Sequence, residues 1–175
     1  MNSDYLNSLK GKSEISVEMV CLGNICRSPM AAAVLQRESV NFKNPTIRVF
    51  SSGTSNYHIG EGAHRLSMKT WELAGYRYEH VASRFNPRSF QEMDLILAMD
   101  LSNRAMILTA AKSDSDRSKV MMLRQFDPAL NGIDPVSRAG GELEVPDPWG
   151  EEIDSYQEVL GMIERAVAGL LDKFR

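Results

Sequence analysis

The chain has 175 residues, of which 20 are basic and 23 are acidic, so its formal net charge is −3. This length suits one domain with its own hydrophobic core, and the acidic balance excludes the clustered basic face of a nucleic-acid-binding protein. No apolar run reaches the length of a membrane span and residues 1–14 lack the apolar centre of a signal peptide, so we expect a cytoplasmic protein that binds neither nucleic acid nor a membrane.

Residues 1–13 are polar and show no period, which predicts a flexible N-terminal extension to a single domain over residues 14–175. Within that domain, short apolar runs alternate with helical patterns. The predicted strands cover residues 15–20, 46–51, 94–99 and 119–123. The predicted helices begin at residues 29, 64 and 102, and a last helix carries an apolar stripe from Val159 to Phe174.

Residues 127–150 hold most of the later prolines and glycines, which predicts a long loop before the last helix. Strands that alternate with helices in this way indicate a parallel sheet covered by helices on both faces. In such sheets the functional residues lie at the carboxyl ends of the strands. The end of the first predicted strand, next to Cys21, is therefore where we look for chemistry.

The stretch MVCLGNICRSPM follows the first predicted strand and runs into the first predicted helix. Backbone N–H groups and the helix dipole at such a helix start suit a dianion such as phosphate. Gly23 permits a tight backbone, Asn24 tolerates a left-handed conformation, and Arg27 can clamp two phosphate oxygens. The helix start, Arg27 and the Ser28 hydroxyl are all expected to favour the thiolate of Cys21. Cys21 is therefore a candidate nucleophile for attack at phosphorus.

Cys21 and Cys26 are the only two cysteines, and both lie in this stretch. Their position in one motif excludes a disulfide framework, and no cluster of histidines completes a metal site. Because Cys26 lies five positions from Cys21 in a curled loop, two interpretations stay open for it. It is either a redox partner that forms a transient disulfide with the nucleophile or a small buried filler of the loop.

The run CLGNICRSP resembles the signature of the low-molecular-weight protein tyrosine phosphatases. The segments SSGTSNYHIG, EHVASR, DLILAMDLSN and VPDPW also resemble that family, in the expected order, so the resemblance covers about residues 15–174. It implies a flavodoxin-like three-layer sandwich with a central four-stranded parallel sheet and helices on both faces. It also implies a protein-tyrosine-phosphatase that hydrolyses phosphotyrosine and aryl phosphates through a phosphocysteine on Cys21, with no metal and no cofactor.

Such a reaction is faster when an acid protonates the leaving oxygen, and the best candidate acid is Asp147. Pro146 and Pro148 on either side of it stiffen the loop that carries it. Asp127 and Asp134 also precede prolines but lack the aromatic neighbour that follows in VPDPW. The resemblance implies that Asp147 is the general acid, and then the base that activates water.

The resemblance also implies roles for the rest of the site. Arg27 and the N–H groups of the loop bind phosphate. The phosphate-binding loop comprises Leu22, Gly23, Asn24, Ile25, Cys26 and Ser28. Tyr57 and Trp149 match the aromatic walls of the substrate pocket, and Ile25 favours phosphotyrosine because related phosphoarginine phosphatases carry threonine there. A buried hydrogen-bond network that holds the loop is matched by Asn24, Ser28, Ser51 and His80.

Other polar residues carry weaker signals. His58 and His64 receive no role, although the family usually has aspartate where His64 stands. Asp100 and Asn103 are expected either to support the neighbouring loop or to cap the helix that follows. Glu18 falls in a strand that should be buried, where a lone carboxylate is costly unless paired. For Glu18 we expect a partner, a partly open face or a contact with another subunit.

Three rival functions share parts of this pattern. An arsenate reductase needs further cysteines to relay a disulfide, and none follows Cys26. A catalytically weak phosphotyrosine-binding protein is expected to lack the nucleophile or the acid, and both Cys21 and Asp147 are present. A phosphoarginine phosphatase is disfavoured by Ile25 and the aromatic walls. The expected partner is a phosphotyrosine-containing protein, with a tyrosine kinase as one candidate, and the expected assembly is a monomer or a weak dimer.

Overall fold

The structure is a computed structural model that describes residues 3–175. Its centre is one sheet of four parallel strands in the order β2-β1-β3-β4. The strands are β1 Glu14–Cys21, β2 Thr46–Gly53, β3 Leu95–Ala98 and β4 Val120–Met122. The four-stranded parallel sheet that the sequence predicts is therefore confirmed, with every strand near its predicted place.

Helices cover both faces of this sheet. They are α1 Ser3–Ser8, α2 Arg27–Glu38, α3 Arg65–Leu73, α4 Ser89–Glu92, α5 Leu101–Thr109, α6 Asp114–Ser118 and α7 Ile153–Leu171. Val17 and Met19 of β1 pack into the core under α2 and α7, whereas Val20 packs into a second core that contains Ile107 of α5. Two cores on opposite faces confirm the flavodoxin-like sandwich. None of the helices within residues 3–175 is long and apolar enough to cross a membrane.

The segment before the sheet differs from the prediction of a flexible extension over residues 1–13. The described part forms α1, and Leu6 and Leu9 are buried in the core under α2 and α7. The Tyr5 hydroxyl donates a hydrogen bond of 2.6 Å to the carbonyl oxygen of Asp94. Leu6 within α1 and Leu9 in the turn after it anchor this segment to the core, although the polar residues around them hide the pattern.

The long predicted loop over residues 127–150 is packed rather than slack. It contains two short 3₁₀ turns, Pro128–Leu130 and Gly140–Leu143. Leu143 and Val145 are fully buried, and the Val145 N–H donates to the Met99 carbonyl at 2.7 Å. A Cβ at Gly140 would lie 2.2 Å from the carbonyl oxygen of Pro135, so this position accepts no side chain. The second half of the loop is thus fixed beside the end of β3.

Glu18 has a partner, which was one of the three expected outcomes. Its side chain lies inside the sheet core with 5 % exposure, and the Ser52 hydroxyl on the neighbouring strand donates to Oε1 at 2.5 Å. Burial raises the pKa of Glu18 above its ordinary value, and the hydrogen bond from Ser52 only partly offsets this rise. The fold therefore favours the neutral acid at the centre of β1.

We predict that Glu18→Gln stabilises the fold at neutral and alkaline pH. Because the pKa is raised in the folded state, the wild type has its full stability below the unfolded-state pKa and loses part of it as pH rises through the folded-state pKa, by about 1.4 kcal/mol for each unit of elevation. Glutamine still accepts the Ser52 hydrogen bond and cannot ionise. Urea unfolding at a series of pH values measures this effect. The difference in free energy of unfolding between the two proteins should be constant in acid, and it should then change in favour of Glu18→Gln as the pH rises.

Ser16→Ala is the control variant, because Ser16 precedes Glu18 on the same face of β1 and is also buried, but does not titrate. Its free energy of unfolding should keep the wild-type dependence on pH. The same dependence in Glu18→Gln would contradict a buried neutral acid at position 18.

Candidate active site

The loop between β1 and α2, residues 21–28, turns sharply at Asn24. This residue has a φ of 56° and is fully buried. A left-handed backbone is costly for most side chains but is tolerated by asparagine, as the sequence predicts for this position. The turn brings the end of β1 and the start of α2 around one small space.

Three carbonyl groups of the 21–28 loop point outward, toward partners in other parts of the fold. His80 Nε2 donates to the Asn24 carbonyl at 2.6 Å, the His64 N–H donates to the Ile25 carbonyl at 2.8 Å, and the Ser67 hydroxyl donates to the Cys26 carbonyl at 2.7 Å. In a trans peptide the next N–H points opposite to the carbonyl. The N–H groups of residues 25, 26 and 27 therefore point inward, as an anion site requires.

The Cys21 sulfur lies inside this loop. It is 3.0 Å from the Ser28 hydroxyl oxygen and accepts the Asn24 N–H at 3.3 Å. The start of α2 adds partial positive charge at the same place. The Asn24 side-chain NH₂ donates to Ser28 Oγ at 2.8 Å, so the one Ser28 hydroxyl hydrogen has two possible acceptors, the Cys21 sulfur at 3.0 Å and the Ser52 carbonyl oxygen at 3.4 Å. The sulfur therefore lies beside two groups that can donate hydrogen bonds to it.

The predicted support network is assembled in the structure, and it is larger than expected. Asn24 Nδ2 also donates to Ser51 Oγ at 3.0 Å, while Asn24 Oδ1 accepts the Ser83 N–H at 2.9 Å. Burial lowers the pKa of His80 despite its bond to the Asn24 carbonyl. His80 is therefore a neutral donor at neutral pH, as its contact with a carbonyl requires.

Arg27 is buried to 3 % exposure and is fixed from several sides. Its Nη1 donates to Asp100 Oδ2 at 2.7 Å and to the Val145 carbonyl at 3.0 Å, and its Nη2 lies 3.5 Å from Asp147 Oδ2. Burial alone would lower its pKa, but Cys21, Asp147 and Asp100 together raise it. Within residues 3–175 the buried Nε has no hydrogen-bond partner, so one donor of the guanidinium is left for a ligand.

Asp100 performs both of the roles that were expected of it. While Oδ2 holds Arg27, Oδ1 accepts the Asn103 N–H at 2.7 Å and caps α5. Asn103 contributes this backbone N–H, and within residues 3–175 its buried side-chain Oδ1 has no hydrogen-bond partner. Arg27 is thus held by a residue that is itself fixed at a helix start.

An open cavity of about 230 Å³ lies above the loop. Its walls are formed by Cys21, Leu22, Gly23, Ile25, Cys26, Arg27, Tyr57, His58, Asp147 and Trp149. Tyr57 and Trp149 are 71 % and 63 % exposed, so they are free to stack on a flat ligand. Asp147 Oδ1 accepts the Trp149 N–H at 3.2 Å, which couples the carboxylate to the aromatic wall.

Every residue predicted for the catalytic, phosphate-binding or pocket roles lies at this site, but sequence reasoning missed several neighbours. His58 lines the cavity, with its Nδ1 2.9 Å from Glu61 Oε2. His64 and Ser67 hold the loop carbonyls described above. Single histidines and serines carry no pattern, so only their spatial partners identify them.

Both thiols of the site, Cys21 and Cys26, are free and buried, and both line the cavity. Cys26 lies at the start of α2 with its sulfur 3.8 Å from the Tyr156 hydroxyl. Among the residues that the structure describes, no three His, Cys, Asp or Glu side chains are grouped to hold a metal ion.

Known proteins resemble this chain over most of its length. Residues 16–175 match the family model described as "Low molecular weight phosphotyrosine protein phosphatase". A low molecular weight protein-tyrosine-phosphatase from Streptomyces coelicolor is 38 % identical over 157 residues, which cover 89 % of this chain and 91 % of that protein. A crystal structure of a protein tyrosine phosphatase from Entamoeba histolytica, with Hepes in its active site, superimposes with a TM-score of 0.79 at 28 % identity and covers 91 % of this chain and 96 % of that one.

The same fold is found in a protein with a different named substrate. An arginine phosphatase from Geobacillus stearothermophilus superimposes with a TM-score of 0.74, covering 91 % of this chain and 92 % of that one. At 24 % identity this likeness shows the fold alone. Substrate choice therefore has to be argued from the pocket and not from the architecture.

We predict that Asn24→Ala destabilises the protein more than Asn24→Gly does. Both variants lose the side-chain hydrogen bonds of Asn24, but only glycine adopts the left-handed backbone without strain. The difference in free energy of unfolding should be about 1 kcal/mol in favour of glycine, measured by urea denaturation. An alanine variant as stable as the glycine variant would show that the backbone turn at position 24 is not a constraint.

Proposed function

The chain belongs to the low-molecular-weight phosphotyrosine protein phosphatases, and on that premise we propose that it hydrolyses phosphotyrosine through a phosphocysteine formed on Cys21. Members of this family are cysteine-dependent phosphatases that act on phosphoproteins. The observation that carries the proposal is the inward-facing ring of N–H groups around the Cys21 sulfur, beside the unpartnered Nε of buried Arg27.

In the first step the phosphate dianion occupies the loop, where the N–H groups and Arg27 bind its oxygens. The Cys21 thiolate then attacks phosphorus from below, and the bond to the tyrosine oxygen breaks on the opposite side. Negative charge that builds on the phosphate oxygens is stabilised by the loop N–H groups. These donors need no rearrangement, because the carbonyl groups of the same peptides are already hydrogen-bonded to other segments.

Asp147 protonates the leaving phenolate. Two observations support this role: Asp147 Oδ2 lies 3.5 Å from Nη2 of Arg27, and its side chain lines the cavity and is 43 % exposed. In the second step the same carboxylate takes a proton from water as the water attacks phosphocysteine. Ser28 supports the thiolate that leaves, through its 3.0 Å contact with Cys21.

The walls of the cavity support an aromatic substrate. Tyr57 and Trp149 present exposed rings to the cavity, and Ile25 adds an apolar side chain to its lining. Such a slot stacks on a phenyl ring and offers no carboxylate to a guanidinium apart from Asp147. Phosphotyrosine therefore fits better than phosphoarginine.

The proposal also names a substrate class for the enzyme and a redox role for Cys26. The substrate is a phosphotyrosine-containing protein, with a tyrosine kinase as one candidate, and the enzyme acts in the cytoplasm as a monomer or weak dimer. Cys26 is proposed as the redox partner of Cys21, since both thiols face one cavity. Arsenate reduction is disfavoured because no third cysteine is present to relay a disulfide.

The proposal predicts phosphotyrosine-peptide hydrolysis in EDTA and reducing agent, with phosphoserine and phosphoarginine peptides much slower. Cys21→Ser should abolish turnover because it removes the nucleophile. Asp147→Asn should lower kcat by roughly 10²- to 10⁴-fold, the usual contribution of a positioned acid. Initial rates for each peptide measure these effects.

Asp134→Asn is the matched control, because Asp134 also precedes a proline and accepts the N–H two residues on at 2.9 Å, yet lies outside the cavity. It should keep the wild-type rate. Preferential hydrolysis of phosphoarginine would replace the proposed substrate, whereas phosphotyrosine binding without turnover in the wild type would make the chain a binding protein.

A further inference from the structure

A chain of polar contacts leads from the Cys26 thiol toward the surface of the protein. The Cys26 sulfur lies 3.8 Å from the Tyr156 hydroxyl, and that hydroxyl lies 3.2 Å from Nδ1 of His64. Cys26 and Tyr156 are buried, whereas His64 is half-buried and reaches solvent. The Tyr156 and His64 rings stack with their centroids 5.5 Å apart. Hydrolysis as derived above uses the side chain of neither Tyr156 nor His64.

The direction of these hydrogen bonds follows from His64, the outermost of the three residues. His64 Nδ1 accepts the Leu66 N–H at 3.2 Å, as the cap of α3. A nitrogen that accepts carries no hydrogen, so the Tyr156 hydroxyl is the donor to the same atom. The Tyr156 oxygen is then free to accept the hydrogen of the Cys26 thiol. Each link therefore points from the thiol toward the imidazole.

This direction matters because the Cys26 thiol must lose its proton before its sulfur can react. Burial raises the pKa of Cys26 to about 12 despite its hydrogen bond with Tyr156, and the neighbouring Cys21 and Asp147 raise it further. Such a thiol holds almost no thiolate at neutral pH, and the thiolate is the form that attacks another sulfur. A proton acceptor within reach is therefore needed before Cys26 can react.

His64 is suited to accept that proton. Burial lowers its pKa, and the charges of Arg65 and His58 lower it further, so the imidazole is neutral at neutral pH. Its half-buried position lets it pass the proton on to solvent. The other charged or titratable groups beside His64 are Arg65 and His58. Those beside Cys26 are Cys21, Asp147 and Arg27.

We propose that Tyr156 and His64 form a proton relay that activates Cys26 for disulfide formation with an oxidised Cys21. This inference rests on the redox role proposed above for Cys26 and names the two residues that would make it fast. Both are positioning residues, because they act on the reaction through Cys26 and do not touch the substrate.

The chemistry has two steps and uses a hydroperoxide as oxidant. The Cys21 thiolate attacks the peroxide oxygen, the O–O bond breaks, and the products are Cys21 sulfenic acid and an alkoxide or hydroxide that takes a proton from solvent. Cys26 then gives its proton to the Tyr156 oxygen as Tyr156 gives its own to His64. The Cys26 sulfur attacks the Cys21 sulfur, the S–O bond breaks, and the departing hydroxide is protonated to water.

Two substitutions separate the relay from the structure around it. Tyr156→Phe keeps the buried ring and removes only the hydroxyl. His64→Asn keeps an N-cap acceptor for α3, because asparagine is among the preferred N-cap residues, but removes the base. Cys26→Ser is the reference without a second thiol. All are compared as full-length proteins under saturating hydrogen peroxide, so that the second step limits disulfide formation.

The relay predicts that peroxide inactivates wild type, Tyr156→Phe and His64→Asn at the same rate, because the first step is at Cys21. Disulfide formation, measured by mass spectrometry as the loss of two hydrogen atoms, should be roughly 100-fold slower in both variants, the lower end of what a positioned base contributes. Trapping with dimedone should show more sulfenic acid, and dithiothreitol should restore less activity. The wild-type rate should fall in acid, below the ordinary pKa of histidine, as His64 becomes protonated, and His64→Asn should lack this fall.

Disulfide formation at the wild-type rate in Tyr156→Phe, or the same pH profile in His64→Asn, would overturn the relay. Full recovery of activity by dithiothreitol in peroxide-treated Cys26→Ser would also overturn the relay, because Cys26 would then have no redox role. Absence of phosphotyrosine hydrolysis in the wild type would instead refute the proposed function and leave the mass measurement of the relay intact. The failures of the two proposals are therefore distinguishable.

Discussion

The orientation of three peptide groups in the 21–28 loop is the constraint on which the site depends. A loop with freely rotating peptides would present carbonyls as often as N–H groups to an anion. Here the carbonyls of Asn24, Ile25 and Cys26 are held outside by His80, the start of α3 and Ser67. Separate segments of the chain therefore fix the donors before any ligand binds, which is the preorganisation that phosphoryl transfer needs.

Arg27 extends this constraint to the opposite side of the cavity. Its guanidinium joins Asp100 at the start of α5 to the Val145 carbonyl in the loop that carries Asp147. The Val145 N–H is in turn bound to the carbonyl of Met99, just after β3. Neighbouring strand ends of one sheet thus hold the three residues proposed as acid, phosphate-binding arginine and nucleophile. This arrangement explains why the long loop after β4 is packed along its second half.

Much of the fold and of the cavity was predictable, because strong local patterns encode them. The apolar runs gave four strands, and the motif around Cys21 gave the loop at the base of the cavity. The family resemblance added Tyr57, Asp147 and Trp149 to its lining, and His58 was missed. The contacts of His64 and Ser67 with the loop were not predictable, since each joins residues about 40 positions apart that share no pattern. Helix α1 was missed because, among residues 3–13, only Leu6 in the helix and Leu9 just after it are buried.

The central claim is that the Cys21 sulfur takes the phosphoryl group, and direct trapping tests it. Acid-quenched mixtures of the Asp147→Asn variant with a phosphotyrosine peptide, digested and analysed by mass spectrometry, should contain one phosphate on the peptide that includes Cys21. Asp147→Asn slows the formation of the intermediate, a step that then lacks the acid, and also its breakdown, which lacks the base, so the acid quench is made at a series of times during turnover. Turnover without any phosphorylated Cys21 peptide, or phosphate on another residue, would contradict the account.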